Sequence, residues 1–326
     1  MGATGLVRAL HGWIAAVGLS LLELPAAAQD YPARPITLIV PFAAGGSSDV
    51  NARLIAELMG QILGQRFIIE NIGGAGGAVA LARVVQSAPD GYTIVQGNSG
   101  TNTAMYIFTP EVKFTPDDFA SIGMFTKSSA VVAIKKDFPA KTLAEFIAYA
   151  KQNPGKLNIG HSGVGSQNYL FCKTFIQAAD IDVTLIGYRG GGPALKDLIG
   201  GQIDGLCDSS ASAAPAIQGG LVRGIALASK TRLTQLPDVP TASEAGLPQF
   251  EINGWYALFA PRDTPAPIIA KLNDAMRKAV ANKDYQKRLD DLGSSPAEEN
   301  ELSPDYLAQF VPQEIAKFRK LVGDGK

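Results

Sequence analysis

The chain has 326 residues, 29 Lys plus Arg against 30 Asp plus Glu, and a net charge of −1. A near-neutral chain without a basic run is poorly matched to nucleic acid or to an anionic membrane surface. Setting aside a leader ending at Ala28 leaves 298 residues (326 − 28), a length that suggests two domains rather than one.

Residues 1–28 carry Arg8, then an apolar run from Trp13 to Leu22, a break at Pro25 and the small-residue stretch Ala26-Ala27-Ala28. This is the layout of a secretory signal peptide cleaved after Ala28. The apolar run is shorter than the ~20 residues of a membrane span. No Cys adjoins the cleavage site, so no lipid anchor is expected. The mature protein is expected outside the cytoplasm, starting at Gln29, with no direct membrane insertion.

Next comes ITLIVPFAAGGSSDVNAR, residues 36–53. Ile36–Val40 reads as a buried strand ended by Pro41. Gly45 and Gly46 allow a sharp turn. Ser47, Ser48 and Asp49 are helix N-cap types, and Leu54, Ile55, Leu58 and Ile62 then recur on one helix face. A strand, a Gly turn and a helix N-terminus leave several N–H groups unpaired at one spot, which favours an anion.

Strands and helices alternate beyond this point. Further strands are expected at Phe67–Glu70, Thr93–Gln96, Val131–Ile134, Leu157–Ile159, Val183–Ile186, Ile203–Cys207 and Ile225–Ala228. Thr142 and Glu145 form a capping box ahead of a helix carrying Leu143, Phe146, Ile147 and Ala150. Thr264 reads as an N-cap with Pro265 at N1, opening a helix with Ile268, Ile269, Leu272, Met276 and Val280 on one face. Ser303-Pro304 repeats the signal. This alternation predicts an α/β fold of βαβ units with parallel sheets. Asp118–Lys136 and Gly254–Ala260 are long apolar stretches able to cross between two lobes. If both cross, the first lobe is residues 29–127 with 253–326 and the second is 128–252.

The strands lead into small, polar, Gly-rich loops at residues 71–77, 98–103, 162–167, 188–193 and 208–212. One such loop is an ordinary βα turn. Six, counting residues 41–49, make a cleft rich in backbone N–H and hydroxyl donors, suited to a carboxylate bound partly through water. Arg189 is either a bidentate carboxylate partner, a solvated loop charge or a partner for Asp208. Asp49 and Asp208 are expected to orient loops rather than touch an anion. Phe42, Tyr169 and Phe171 are candidates for an apolar wall, with core packing preferred for Phe171.

Catalytic patterns are missing. The mature chain has one histidine, His161, so a Ser-His-Asp or Cys-His arrangement must use it. Gly160-His161-Ser162-Gly163 resembles a nucleophile elbow, but Val164 stands where G-x-S-x-G needs Gly. No His/Cys cluster has zinc spacing, and neither the P-loop nor the dinucleotide pattern occurs. No metal, cofactor or catalytic residue is expected. Cys172 and Cys207 stay open between a disulfide and two buried apolar side chains.

Several segments carry a family likeness: YPARPITLIVPFAAGGSSD, ENIGGAGG, APDGYTI, KTLAEFIAYAKQNPGKLNIGHSGVGS, YRGGGPALKDLIGGQIDG, DVPTASEAGLP and GWYALFAPRDTPAPII. In that order, from about Tyr31 onward, they resemble the tripartite tricarboxylate transporter substrate-binding proteins, the Bug family of periplasmic solute receptors. The resemblance implies a two-lobed Venus-flytrap fold, each lobe a mostly parallel sheet flanked by helices. It implies a monomer that binds a di- or tricarboxylate, an acidic amino acid or an aromatic acid, without catalysis. Delivery to a membrane transporter with large and small integral subunits follows. The loop matching Phe42 to Asp49, with Gly45, Gly46 and Ser47, and the loop Ser162 to Ser166, with Gly165, would grip one carboxylate. The stretch from Asn98 through Ser99 and Thr101, and the loop around Asp208, would vary with ligand. The chain departs from the family pattern at Tyr169, where His is usual, at Arg189, where Lys is common beside Gly190, and at residues 98–105. A sensory subunit presenting its ligand to a sensor kinase is the alternative; an exported hydrolase using Ser162 and His161 is a third.

Overall fold

The computed structural model describes residues 31–323. The expected leader and its cleavage site lie outside that range. In chain order the elements are β1 (Ile36–Val40), α1 (Ser47–Leu63), β2 (Phe67–Asn71), α2 (Ala78–Val85), β3 (Thr93–Asn98), α3 (Met105–Phe108) and β4 (Phe119–Lys135). Then come α4 (Leu143–Gln152), β5 (Asn158–His161), α5 (Gln167–Ala179), β6 (Thr184–Gly187), α6 (Gly191–Ile199), β7 (Gly205–Ser209), α7 (Ser210–Gln218) and β8 (Val222–Leu227). The chain closes with β9 (Asn253–Pro261), α8 (Ala266–Val280), α9 (Lys283–Asp291), β10 (Ser294–Pro296) and α10 (Pro304–Val322).

The strands follow the order β2-β1-β3-β9-β4-β7-β5-β6. β2, β1 and β3 are parallel, as are β6, β5 and β7, because each pair is joined by a helix that carries the chain back. The centre, where the expected crossing strands lie, is antiparallel, so each lobe is mostly rather than wholly parallel. β4 has 17 residues, about 56 Å at ~3.3 Å each, more than one lobe needs. Its Phe119–Ser129 part pairs with β9, and its Ala130–Ile134 part with β7. The return passage runs beside it in the opposite sense: Asn253 faces Ser129, and the Ile252 amide donates to Ala228 O at 3.2 Å. This is the two-lobed α/β architecture of periplasmic binding proteins, with the crossings side by side.

Each lobe has its own core. One gathers Ile36, Leu38, Ile55, Val95, Tyr256, Leu258 and Met276; the other gathers Val132, Phe146, Ile159, Phe171 and Phe175. Phe171 is thus core rather than cleft wall. α10 serves both, placing Leu307 and Val311 in the first core and Phe318 in the second. Two local expectations shift, and the open reading of the cysteines closes. The α8 cap is Pro265, while the Thr264 hydroxyl donates to Pro261 O at 2.8 Å. Ile62 is exposed, since α1 buries Ala52, Ile55 and Met59 instead. Cys172 and Cys207 are buried free thiols.

Candidate functional site

The β1–α1 turn is held open by a side-chain tether. Gly45 takes φ +83°, a left-handed conformation that glycine tolerates. Its amide donates to Asp49 Oδ2 at 3.0 Å, while Arg53 Nε and Asn71 Nδ2 donate to Asp49 Oδ1, each at 3.0 Å. Asn71 also donates to Phe42 O at 3.0 Å. Burial alone would raise the Asp49 pKa, but the Arg53, Gly45 and Asn71 hydrogen bonds outweigh it and hold the carboxyl below its usual range. Asp49 therefore shapes the turn from behind. The α1 cap is Gly46, not Ser47, Ser48 or Asp49, and no side chain caps the helix. Its first N–H groups stay available.

The opposite side is built likewise. α5 is capped by Ser166, whose Oγ accepts from the Tyr169 amide at 3.2 Å. α6 is capped by Gly190 with no side-chain bond. Behind them Asp208 is fully buried and accepts from Asn168 Nδ2 (2.8 Å), the Ser209 amide (2.8 Å) and Ser212 Oγ (2.7 Å). Burial pushes its pKa up against the pull of those donors.

Phe42, Gly46, Ser47, Ser48, Asn98, Ser162, Ser166, Gln167, Asn168 and Gly191 enclose one small cavity of about 10 Å³. No charged side chain lines it. Three helices, α1, α5 and α6, point their N-termini at it, each contributing about half a positive charge. The cavity thus offers positive potential and N–H and O–H donors without a fixed cation, a combination that binds an anion.

The walls meet backbone to backbone. The Ala43 amide donates to Arg189 O at 3.0 Å. A Cβ on Gly46 would lie 3.1 Å from Gly192 N, one on Gly192 would lie 2.4 Å from Ala44 O, and one on Gly76 would lie 1.9 Å from Val164 O. Side-chain bonds add to the seam: Ser99 Oγ donates to Gln167 Oε1 (2.8 Å), and Gln167 Nε2 donates to Tyr256 Oη (2.9 Å). At the crossing, Ser209 Oγ donates to Ser128 Oγ (2.7 Å). Only about one water molecule fits in such a space. A solute larger than water fits only if the two walls stand further apart.

Of the residues expected at the site, Phe42, Gly46, Ser47, Asn98, Ser162 and Ser166 line the cavity. Gly45 and Asp49 sit behind it. Ser99 and Thr101 are buried in the turn after β3, where the Thr101 amide bonds Asn98 Oδ1 at 3.0 Å. Gly165 and Gly190 shape the opposite loops, the latter close against Ala43. Tyr169 packs its ring between Phe108 and His161, both centroids 4.9 Å away, and does not line the cavity. The Arg189 side chain is exposed; its carbonyl makes the seam bond. Asp208 touches the site through Asn168. Sequence reasoning placed Ser48, Gln167 and Gly191 in the cleft loops without singling them out as ligand contacts, and it missed Asn168 and the seam partner Tyr256. Ser48, Gln167, Asn168 and Gly191 are all first-turn residues just after a cap, where free N–H groups concentrate, and that rule could have found Asn168.

His161 is not placed to activate Ser162. Its Nδ1 accepts from the Gly163 amide at 3.0 Å, and burial lowers its pKa to about 4. Among the described residues no group of three or more His, Cys, Asp or Glu could hold a metal ion.

Known proteins share this architecture. MatC (Rpa3494) from Rhodopseudomonas palustris, solved with bound malate, superimposes with a TM-score of 0.86 at 41% identity, covering 90% of this chain and all of that one. Rpa4515 of R. palustris, solved with adipate, gives 0.86 at 30% identity over 91% of this chain and 98% of its own. A UPF0065 protein from the TAR-I ttuE-ttuC' intergenic region of Agrobacterium vitis is 38% identical, over 98% of this chain and 93% of its own. The family model described as "Tripartite tricarboxylate transporter family receptor" (TctC) matches residues 51–324. Its members are solute-binding proteins rather than enzymes, which removes the hydrolase reading of Ser162 and His161. With its uncapped helix ends facing a lobe seam and its likeness running nearly end to end, the chain belongs to the tripartite tricarboxylate transporter receptor family.

Proposed function

We propose that the protein captures a small organic dicarboxylate between its lobes in the periplasm and delivers it to a tripartite tricarboxylate-type transporter. The observation that carries this reading is the convergence of three helix N-termini, two without a side-chain cap, on a cavity lined by no charged side chain. Relatives solved with malate and adipate favour carboxylates. The cavity-lining residues would grip one carboxylate, with Asp49 and Asp208 supporting the loops. The proposed lobes are residues 29–127 with 253–326, and residues 128–252. The exchange of strand partners near Ser129 supports that division.

Hydrogen bonds from neutral donors to a charged acceptor contribute roughly 1.5–3 kcal/mol each. About three to five of them total the roughly 8 kcal/mol of micromolar binding, and burial of the ligand's apolar part must offset the ordering costs. Closure follows because a carboxylate touching both walls binds the closed state more tightly than the open one. Among the described residues no helix is long and apolar enough to cross a membrane, which suits a receptor that hands its ligand to separate membrane subunits. A thermal-shift screen of organic acids tests the reading. Malate, succinate or adipate at millimolar concentration should raise the midpoint through linkage. A screen in which only sugars or cations act would refute it.

A further inference from the structure

Three side-chain amides border the cavity: Asn98, Gln167 and Asn168. Two are bonded at both ends. Asn98 Nδ2 donates to Ser48 Oγ (3.2 Å) and its Oδ1 accepts from the Gly100 and Thr101 amides (2.8 and 3.0 Å). Gln167 accepts from Ser99 and donates to Tyr256. Asn168 differs. Its Nδ2 donates to Asp208 Oδ1 at 2.8 Å, while its Oδ1 accepts from no group among the described residues.

Asp208 dictates that orientation. Asp208 Oδ1 already accepts from the Ser209 amide at 2.8 Å, so the amide facing it turns its nitrogen toward Asp208 and its oxygen away. Asp208 cannot swing aside, because the Ser209 amide and Ser212 Oγ hold its two oxygens and it is wholly buried. Both residues belong to the second half of the chain, at the end of β7 and the start of α5, so they stay together when the walls part. The remaining polar groups lining the cavity are hydroxyls and backbone N–H groups, all able to donate. The cavity therefore combines a set of donors for an anion with one oriented acceptor beside them.

We propose that Asn168 Oδ1 accepts a hydrogen bond from a hydroxyl on the carbon next to the gripped carboxylate, so that the receptor selects 2-hydroxy acids, with Asp208 as the positioning residue. The proposal rests on the carboxylate reading above. A ligand lacking the hydroxyl leaves Oδ1 desolvated and unpaired, which is how a polar site rejects an analogue.

The test is calorimetric affinity for three matched pairs: malate with succinate, lactate with propionate, and citrate with tricarballylate. In the unmodified protein the hydroxy acid of any pair that binds should be at least about tenfold tighter. In Asn168→Ala the hydroxy acid should lose its advantage, so that the ratio within each pair falls to about one, whatever happens to the affinity of both members. In Asp208→Asn, where the neighbouring amide is free to turn, the preference should also vanish. The ratio within a pair is the readout, because a general folding defect weakens both members alike. Equal affinities in the unmodified protein overturn the proposal, and so does a preference that survives Asn168→Ala. A preference surviving Asp208→Asn overturns the positioning role. L-Aspartate binding more tightly than malate would assign the acceptor to an ammonium instead. If none of the pairs binds and no other organic acid does, the carboxylate reading itself fails; if deoxy acids bind as well as hydroxy acids, only the selectivity does.

Discussion

Replacing Gly192 by Ala separates closure from folding. Gly192 is the second residue of α6 and has no left-handed φ, so alanine fits its backbone. Alanine favours a helix interior over glycine by up to about 1 kcal/mol, and less in the first turn. The new Cβ, however, would lie 2.4 Å from Ala44 O and 3.0 Å from Gly45 C across the seam. Ordinary contact begins near 3.4 Å, so the walls must stay about 1 Å further apart. Overpacking of this kind costs roughly 1–3 kcal/mol, charged entirely to the closed state. Ligand affinity should weaken by about 5- to 150-fold. The ligand-free melting temperature should hold steady or rise by up to about 4 °C. Calorimetry with the best acid from the screen, beside a ligand-free melt, measures both. Unchanged affinity would show that the ligand-bound walls do not approach this closely. A ligand-free midpoint lowered by several degrees would place the contact in the permanent fold.

Ser166→Ala removes the α5 cap and a cavity hydroxyl; about 1 kcal/mol of stability and at least about tenfold of affinity should go, read by melting and calorimetry. Unaltered affinity would count against this loop as a jaw. Asp49→Ala frees the Gly45 amide, so its hydrogen exchange should quicken and affinity should drop about tenfold, as expected for one lost charge-assisted bond; exchange at the original rate would remove the tether role. Because the folded pKa of Asp49 lies below the unfolded one, its contribution is complete above the ordinary Asp range and is lost as pH falls through the lowered value. His161 titrates near 4 in the fold and near 6.5 when unfolded. The unfolded chain takes up this proton first, so stability is greatest above pH 6.5 and falls by about 3 kcal/mol by pH 4. Denaturant melts across that window should show the slope, and His161→Asn should flatten it; an equal slope in the variant would contradict the assignment.

Much of the fold is legible along the chain because its signals are local. The capping box at Thr142 and Glu145 needs only neighbours within one turn, and the structure contains it. The strand at Ile36–Val40 is defined by four apolar residues, one threonine and a following proline. The eventual cap of α1 is less legible. Ser47, Ser48 and Asp49 are all good caps in isolation, yet Gly46 takes that position because the Asp49 side chain is already engaged by Gly45, Arg53 and Asn71. Asn71 comes from another strand, 22 residues on. Tyr169 shows the opposite failure. Its position beside Ser166 suggests the cleft, but a helix turns 100° per residue, and the third residue of α5 faces Phe108 and His161 instead.

By itself the sequence determined the alternation of strands and helices, the loops rich in glycine and hydroxyls, the lack of a catalytic pattern and the family, since each depends on residue types at short spacing. The tertiary structure alone decided which helix ends share a cavity, that glycine backbones form the seam, and that Asp208 turns Asn168. Those contacts join residues far apart in the chain, and no local periodicity encodes the distance between them.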